Sequence, residues 1–340
     1  MKIVFTIQHP AHVHFFKHPV KRLSNDHRVT VFVREKDVAV DLLDEYEIPY
    51  EVLAGPTNSV TELALTQLRY ESRLIRKARR IEPDVMAAIA EPGVAHAARL
   101  VGSTGLIFTD TEHATVQNRL AFPFCDVIYT PTCYRNEIGS KQVRYPGYHE
   151  LAYLHPDRFE PNPDVLAAVG VSEDDPLVVL RLVSWDAAHD VGKSGFDRTE
   201  SVVSRLEREG AQVVISSESP LPASLERRRI DIPPHRIHDL LYYSDLFIGE
   251  SPTMATESAV LGTPAIYASS IELGYVTELS ERYGLIFEYT GPDRQERSVE
   301  KATEILNSTS ETTWSRRRER LLSDKIDTSE YVIQEVLRHG

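Results

Sequence analysis

The feature that most constrains the fold is the alternation of short apolar runs with helical patterns along the chain. The runs have strand length and are rich in Val, Ile, Leu and Phe, which is typical of strands buried on both faces. They cover residues 2–7, 28–33, 50–53, 84–89, 105–108 and 126–129 and, later, residues 177–182, 212–216, 246–248 and 265–267. This alternation predicts parallel sheets covered by helices on both faces.

The length predicts two such sheets rather than one, because 340 residues exceed the size of a typical single core. A passage rich in Pro, Tyr and His, residues 148–163, lacks a periodic pattern and is the predicted junction. We therefore expect an N-terminal Rossmann-like domain over residues 1–147 and a second Rossmann-like domain over residues 164–311, the two facing a cleft. The charged segment 312–340 is predicted to be helical.

Composition limits the partners and the compartment. The net charge is −13, and the densest basic runs, residues 73–80 and 316–320, are interpreted as solvated helix faces, so no nucleic-acid partner is expected. Cys125 and Cys133 are the only cysteines, which predicts a reduced, cytoplasmic setting without a disulfide framework. No stretch is apolar for long enough to predict a membrane span.

The stretch 244–267 predicts one strand–loop–helix–strand unit. Pro252 suits the first helical position, and Gly262 ends the helix. Backbone N–H groups with the hydroxyls of Ser251 and Thr253 would suit a phosphate, and Glu257, one turn deeper, could accept hydrogen bonds from ribose hydroxyls. The alternative is an ordinary helix start, with Ser251 as the N-cap and Glu257 in solvent.

The first loop carries His9, His12, His14 and Lys17 around Pro10. His12 lies at the start of a helix after the first strand, where the helix dipole lowers imidazole basicity and favours a neutral base or donor. The alternatives are surface or capping histidines and a metal site. The histidines at 9, 12 and 14 lack the helical i, i+4 pairing of metal ligands, so no metal is expected.

Two further strand ends carry carboxylates. Asp110, Glu112 and His113 follow the fifth strand and could form a general acid–base group. The alternative is capping of the following helix by Asp110 or Thr111. Glu91 ends the fourth strand and is a candidate for lining the cleft.

In the second half, Arg181 ends a strand and could bind a diphosphate in bidentate fashion. It could instead pair with Asp186 or Asp190. Trp185 could contact a base or sugar, or could pack in the core.

Four blocks of sequence stand out: P-A-H-V-H-F-F-K at 10–17, F-T-D-T-E-H-A at 108–114, Y-H-E-L-A-Y-L at 148–154, and G-E-S-P-T-M-A-T-E at 249–257 with L-G-T-P at 261–264. Together they resemble an uncharacterised, mostly archaeal family (domain of unknown function 354) placed with the GT-B proteins. They occur in the expected order over nearly the whole chain. The GT-B superfamily includes sugar-nucleotide glycosyltransferases and UDP-N-acetylglucosamine 2-epimerases.

This resemblance implies particular roles. The small-residue turn beginning at Gly249 would hold a diphosphate, although Glu250 and Pro252 stand where many relatives carry small residues or glycine. Glu257 would hold the ribose, and Asp110 or Glu112 would match the catalytic carboxylate of the epimerases. GT-B relatives often return their last helix to the first domain, so segment 312–340 is expected to do so here.

We therefore expect an α/β protein of GT-B-like fold that moves a sugar from a nucleotide sugar, with UDP the expected nucleotide, to an unknown acceptor, without a metal or other cofactor. The alternatives are a sugar-nucleotide epimerase and a non-catalytic binding protein with a degenerate GT-B cleft. A homodimer is left open. The candidates are His12, Asp110, Glu112 and His113 for catalysis, Arg181, Gly249, Ser251, Thr253 and Glu257 for the donor nucleotide, and His9, Glu91 and Trp185 for the cleft.

Overall fold

The computed structural model describes residues 1–55, 60–172, 175–183, 199–308 and 311–340. Contacts divide the chain into two compact units. The first comprises Met1–Arg158 with Lys325–Gly340, and the second comprises Phe159–Asp324. No helix in the described part of the chain combines the length and apolar character needed to cross a bilayer.

The first unit is built on a sheet in which every paired neighbour is parallel. Its order is β3-β2-β1-β4-β5-β6-β7. Its strands are β1 (Lys2–Ile7), β2 (Arg28–Arg34), β3 (Glu51–Ala54), β4 (Val85–Ile89), β5 (Thr104–Phe108), β6 (Val127–Pro131) and β7 (Gln142–Tyr145).

Successive strand residues point to opposite sides of the sheet, so that apolar side chains lie on both of its faces. Helices cover both faces and bury these side chains. Val4 and Met86 pack with Tyr70 and Leu74 of a long helix, whereas Phe5 contacts Phe16 of the first helix on the other side. The helices are α1 (Pro10–Leu23), α2 (Ala39–Glu45), α3 (Val60–Ile81), α4 (Pro92–Val101), α5 (Thr115–Ala121) and α6 (Leu151–Leu154).

The second unit holds a smaller parallel sheet of order β12-β11-β10-β8-β9. Its strands are β8 (Leu177–Leu182), β9 (Gln212–Ser217), β10 (Leu246–Gly249), β11 (Ala265–Ala268) and β12 (Ile286–Tyr289). Its helices are α7 (Asp164–Val169), α8 (Thr199–Arg208), α9 (Ile237–Tyr242), α10 (Pro252–Leu261), α11 (Gly274–Glu281), α12 (Arg294–Leu306) and α13 (Glu311–Asp324). Two parallel α/β sheets are therefore present, as the alternating pattern predicts.

The chain ends in the first unit. The last helix, α14 (Thr328–Arg338), packs against α1 and α6. The Thr328 and Ser329 hydroxyls donate to the carbonyls of Tyr148 and Ala152 over 2.7 and 2.6 Å. The predicted segment 312–340 thus consists of two helices, of which α13 belongs to the second unit and α14 to the first.

Each sheet has one point at which the strand order reverses. In the first sheet β1 and β4 are neighbours there, and in the second sheet β8 and β10 are neighbours. Open α/β sheets bind ligands outside the carboxyl ends of the strands at such switch points. The loops that follow β1, β4, β8 and β10 are therefore the places to look for a site.

Candidate functional site

His9 and His12 follow β1 at the first switch point. His9 is the N-cap of α1, and its Nδ1 accepts a hydrogen bond from the backbone N–H of Ala11 at 3.2 Å, as the capping alternative expects. His12 Nδ1 accepts from the N–H of Gln8 at 3.4 Å, so the neutral ring carries its proton on Nε2. Burial, followed by the charges of His9 and His149, holds the pKa of His12 well below its usual range. His12 is therefore a neutral hydrogen-bond donor at pH 7.

Glu91 lies on the other side of the same switch point, after β4. Its side chain is only 2% exposed, and its Oε2 accepts a hydrogen bond from the Thr6 hydroxyl of β1. Burial raises the pKa of Glu91 to about 7, although the hydrogen bonds from Thr6, Tyr70 and Gln8 oppose the shift. This carboxyl can gain or lose a proton near neutrality.

Asp110 pairs with a histidine that the sequence analysis did not assign to the site. Asp110 Oδ2 lies 3.1 Å from Nδ1 of His149, and its Oδ1 accepts from the Thr111 hydroxyl at 2.8 Å. His149 is buried against the ring of Phe15, and its Nε2 has no hydrogen-bond partner among the described residues. Burial lowers the pKa of His149 even though the Asp110 charge raises it. The only sequence signal for His149 is its place in the 148–154 block.

The other two members of the predicted acid–base group lie apart from this pair. Glu112 Oε1 accepts from the backbone N–H of Arg135 at 3.1 Å, and His113 is exposed. Helix capping, the alternative, is wrong for this loop, because the N-cap of α5 is Ala114 and no side-chain hydrogen bond caps it in the described structure.

In the second unit, β10 leads through Gly249 and Glu250 into α10, as the sequence predicts. Ser251 is the N-cap, and its hydroxyl accepts from the N–H of Met254 at 3.3 Å. Pro252 occupies the first turn, Thr253 is half-buried, and Gly262 ends the helix with φ 96°. The first N–H groups of α10 therefore sit directly beyond the carboxyl end of a central strand, which suits an anion.

Two residues of this turn serve the packing of β10 on β8. A Cβ on Gly249 would lie 2.8 Å from the Cβ of Arg181 and 2.8 Å from Cζ of Phe247. Glu250 is buried, and its Oε2 accepts from the N–H of Val183, just after β8, at 2.8 Å. The Glu250 side chain thus connects the turn to the end of β8 through a hydrogen bond.

Arg181 is held by β9. Its guanidinium donates to the Ser216 hydroxyl at 2.7 Å and forms an ion pair with Glu218. The alternative partners Asp186 and Asp190, and the candidate Trp185, lie outside the described residues. A phosphate at Arg181 would have to share the guanidinium with Glu218.

Glu257 is buried in a contact with α9. Its Oε1 lies 3.0 Å from Nε2 of His238, and the two residues are 5% and 2% exposed. The alternative that placed Glu257 in solvent is therefore wrong. His238 was missed by the sequence analysis, because nothing in the segment before β10 distinguishes it from the nearby His235. The pair fixes the orientation of the carboxylate.

The described ranges contain no group of three or more His, Cys, Asp or Glu side chains arranged to hold a metal ion. In the first unit, His12 lies near His9 and His149, His149 pairs with Asp110, and Glu91 contacts Gln8, whose N–H donates to His12. In the second unit, Ser251 and Thr253 lie in the turn after β10, Gly249 lies opposite Arg181 of β8, and Glu257 lies farther along α10, paired with α9.

Comparisons with solved structures show the fold. UDP-N-acetylglucosamine 2-epimerase from Neisseria meningitidis, solved with UDP-N-acetylglucosamine, matches with a TM-score of 0.70 at 13% identity over 100% of both chains. The glycosyltransferase VinC, solved with dTDP, matches with a TM-score of 0.65 at 15% identity over 100% of this chain and 99% of its own. The fold is thus that of the GT-B sugar-nucleotide enzymes.

Comparisons of sequence give the family. An uncharacterised protein of Methanocaldococcus jannaschii, MJ0665, is 22% identical over 275 residues, which cover 77% of this chain and 80% of that protein. The model of the family described as Protein of unknown function (DUF354) matches residues 1–333. The chain therefore belongs to this family.

Proposed function

We propose that the protein is a metal-independent GT-B enzyme that binds a nucleotide sugar and transfers the sugar to an acceptor hydroxyl. One observation supports the proposal: in each unit, taken by itself, polar candidates follow the two strands that meet at the switch point, His12 and Glu91 after β1 and β4, and Arg181 and Ser251 at the ends of β8 and β10. The solved relatives with bound UDP-N-acetylglucosamine and dTDP support this class of ligand.

The second unit would hold the nucleotide. The N–H groups of α10 and the hydroxyls of Ser251 and Thr253 would receive the diphosphate, whose negative charge the helix dipole stabilises. The Glu257 carboxylate, oriented by His238, would accept hydrogen bonds from the ribose hydroxyls. When the bond between the sugar carbon and the diphosphate breaks, the electron pair leaves with the diphosphate, and these donors stabilise the added charge.

The first unit would supply the base. Asp110 is half-buried and is held between the Thr111 hydroxyl and the His149 imidazole, so its geometry is fixed before the acceptor arrives. As the acceptor oxygen bonds to the sugar carbon, its proton passes to the Asp110 carboxylate. His12, neutral with Nε2–H, would donate a hydrogen bond to the acceptor or the sugar.

Calorimetric titration tests the nucleotide site first. We expect one of UDP, GDP, ADP, CMP and TDP to bind wild type selectively and to bind Glu257→Gln about 10- to 100-fold more weakly, because a charged hydrogen bond is lost. Glu335→Gln is the matched control, since Glu335 is also buried and accepts a hydrogen bond from the Tyr129 hydroxyl. Absence of binding to all five nucleotides would leave the non-catalytic alternative.

The catalytic role of Asp110 has a separate test. Release of the selected nucleotide from its sugar donor should fall about 10²–10⁴-fold in Asp110→Asn, because the base is lost. The affinity for the nucleotide itself should not change. Equal losses of binding and turnover would assign Asp110 to structure rather than to proton transfer.

A sugar-nucleotide epimerase is the second candidate, and Glu91 favours it. A buried carboxyl with a pKa of about 7 suits removal and return of a proton at a sugar carbon. Incubation of the donor alone in D₂O distinguishes the two candidates. Deuterium in the sugar ring without an acceptor would indicate the epimerase, and no exchange with acceptor-dependent product would indicate the transferase.

A further inference from the structure

The exposed side of α3 carries arginines and leucines together. At 100° per residue, its exposed residues fall within an arc of about 140°. The arc contains Leu65, Leu68, Arg69, Ser72, Arg73, Arg76, Arg79 and Arg80. Leu65 and Leu68 are 56% and 63% exposed, whereas Tyr70, Leu74 and Ala78 on the opposite side are fully buried. We call this exposed arc the α3 face.

The α3 face is strongly basic in an acidic chain. It carries five arginines, and among the described side chains of α3 the only acid is Glu71, which is paired with His96 of α4 at 2.7 Å. The whole chain has a net charge of −13. The face is therefore a local region of positive potential, which would attract an anionic partner.

The second basic run of the sequence, on α13, behaves differently. Arg317 donates to the carbonyl of Gly284 at 2.6 Å and Arg318 donates to the carbonyl of Val260 at 3.0 Å, so both serve the packing of the second unit. Glu319 lies exposed between them and Arg320. The α3 face differs in that exposed leucines lie beside its arginines, although its Arg73 also donates to a carbonyl of another element, that of Leu53, at 2.6 Å.

Exposed apolar side chains are also found beside α3, on α5 and just after it. His96 of α4 contacts the carbonyl of Leu120 in α5 at 3.0 Å and the ring of Phe124 at 4.7 Å between centroids, which joins the three helices. Val116, Leu120 and Phe124 are 65%, 50% and 46% exposed. Neither α4 nor α5 contains Asp or Glu. On the α4 and α5 side, the surface beside the α3 face is thus apolar and uncharged or basic. On the β3 side one exposed acid, Glu51, lies 2.6 Å from Lys77 of α3.

We propose that the α3 face docks the protein on an anionic lipid surface. The arginines would donate hydrogen bonds to lipid phosphates, and Leu65 and Leu68 would enter the boundary between headgroups and acyl chains. A nucleic acid would use the arginines but leave the exposed leucines in water, so the leucines favour lipid. This docking goes beyond the proposed function and is independent of it.

Co-sedimentation with vesicles tests the proposal on the full chain. We expect binding to vesicles of phosphatidylcholine and phosphatidylglycerol in equal parts, little binding to phosphatidylcholine alone, and weaker binding as salt is raised. Leu65→Ser with Leu68→Ser, and separately Arg76→Glu with Arg80→Glu, should each weaken binding at least about tenfold.

The control variant is Arg208→Glu with Arg316→Glu, which makes the same charge change at exposed positions of α8 and α13. Arg208 resembles Arg76, since the Nε of each donates to a carbonyl of its own helix, at 3.1 and 3.2 Å. The control variant should bind vesicles as wild type does, and circular dichroism should show that all variants are folded.

Results of three kinds would overturn the proposal. One is equal binding to neutral and anionic vesicles, or binding to neither. Another is an equal loss in the control, which would indicate a general charge effect. The third is tighter binding to duplex or single-stranded DNA that the leucine variant leaves unchanged, or a dimer in sedimentation velocity that the same variant dissociates.

Discussion

At the residue scale, the loops at the carboxyl ends of the first sheet's strands carry ionisable groups. The pKa of each of these groups is shifted in the direction that favours its neutral form. Burial is the largest cause for His12, His149 and Glu91. It lowers the pKa of an imidazole and raises that of a carboxyl, because both charged forms lose hydration. The site therefore holds neutral imidazoles at pH 7 and a Glu91 that is close to its midpoint.

Glu91→Gln should change the pH dependence of stability. The folded pKa of about 7 exceeds the ordinary value of 4.5, so the folded protein binds the extra proton between these values and loses stability as pH rises through them. The substituted amide cannot ionise and can still accept a hydrogen bond from Thr6. The variant should gain up to about 3 kcal/mol over wild type between pH 4.5 and pH 8. Urea unfolding at a series of pH values measures this difference, and a difference that does not vary with pH would contradict it.

Sequence reasoning found two carboxylates of the candidate sites but missed the histidines that pair with them. It selected Asp110 from its place after a strand and Glu257 from its place in α10. Their partners His149 and His238 belong to distant segments that the fold brings close. Periodicity reports which face a residue occupies, and it contains no information on which distant side chain meets it there.

At the element scale, the close approach of β10 to β8 sets the position of the α10 N-terminus. Gly249 pairs with Arg181 in the sheet register, and the N–H of Glu250 donates to the Arg181 carbonyl at 3.3 Å. The glycine, which resemblance assigned to a diphosphate turn, is thus required by strand packing.

Gly249→Ala should therefore destabilise the second unit. Its Cβ would lie 2.8 Å from the Arg181 Cβ and 3.0 Å from the Arg181 carbonyl, atoms that cannot move without shifting β8. We expect a loss of about 1–3 kcal/mol in the free energy of unfolding, measured in urea. Gly55→Ala is the control, because its nearest atom, Glu35 Oε2, lies 3.9 Å away and only about 0.5 kcal/mol or less should change. Equal effects of the two substitutions would contradict the packing argument.

The strands that sequence reasoning missed are both at sheet edges. β7 closes one edge of the first sheet and β12 closes one edge of the second. Val143 in β7 is 39% exposed, and three of the four β12 residues are half-buried. β7 and β12 each have one buried residue, whereas the other two edge strands, β3 and β9, have two and three and were predicted. An edge strand with so few buried positions has too weak an apolar pattern to be recognised in the sequence.

At the scale of the whole molecule, the order of strands determines which loops share an edge. The sequence predicted the alternation and two sheets, but it could not show that β1 neighbours β4 or that β8 neighbours β10. These adjacencies come from long-range packing and bring His12 and Glu91 to one switch point, and Arg181 and Ser251 to the other. Most of the fold class was therefore predictable, and the grouping of site residues was not.

The last helix also acts at this scale, because it supports the segment that carries His149. Thr328 and Ser329 are fully buried, and their hydroxyls donate to the carbonyls of Tyr148 and Ala152, on either side of His149. Thr328→Val with Ser329→Ala would leave both buried carbonyls without these donors, which costs about 1–3 kcal/mol for each. We expect faster hydrogen–deuterium exchange in α1, α6 and α14, and unchanged exchange in β8, β10 and β11 of the second unit.

A functional consequence follows if Asp110 depends on His149 for its position. Under the proposed function, the double variant should then reduce turnover of the sugar donor while leaving the calorimetric affinity for the nucleotide unchanged, because the residues proposed to bind the nucleotide belong to the second unit. Ser323→Ala is the control, since its hydroxyl donates to the Arg320 carbonyl at an exposed position of α13, in the second unit. Faster exchange spread equally over both units would show that α14 stabilises the whole chain, and the supporting role for His149 would then be lost.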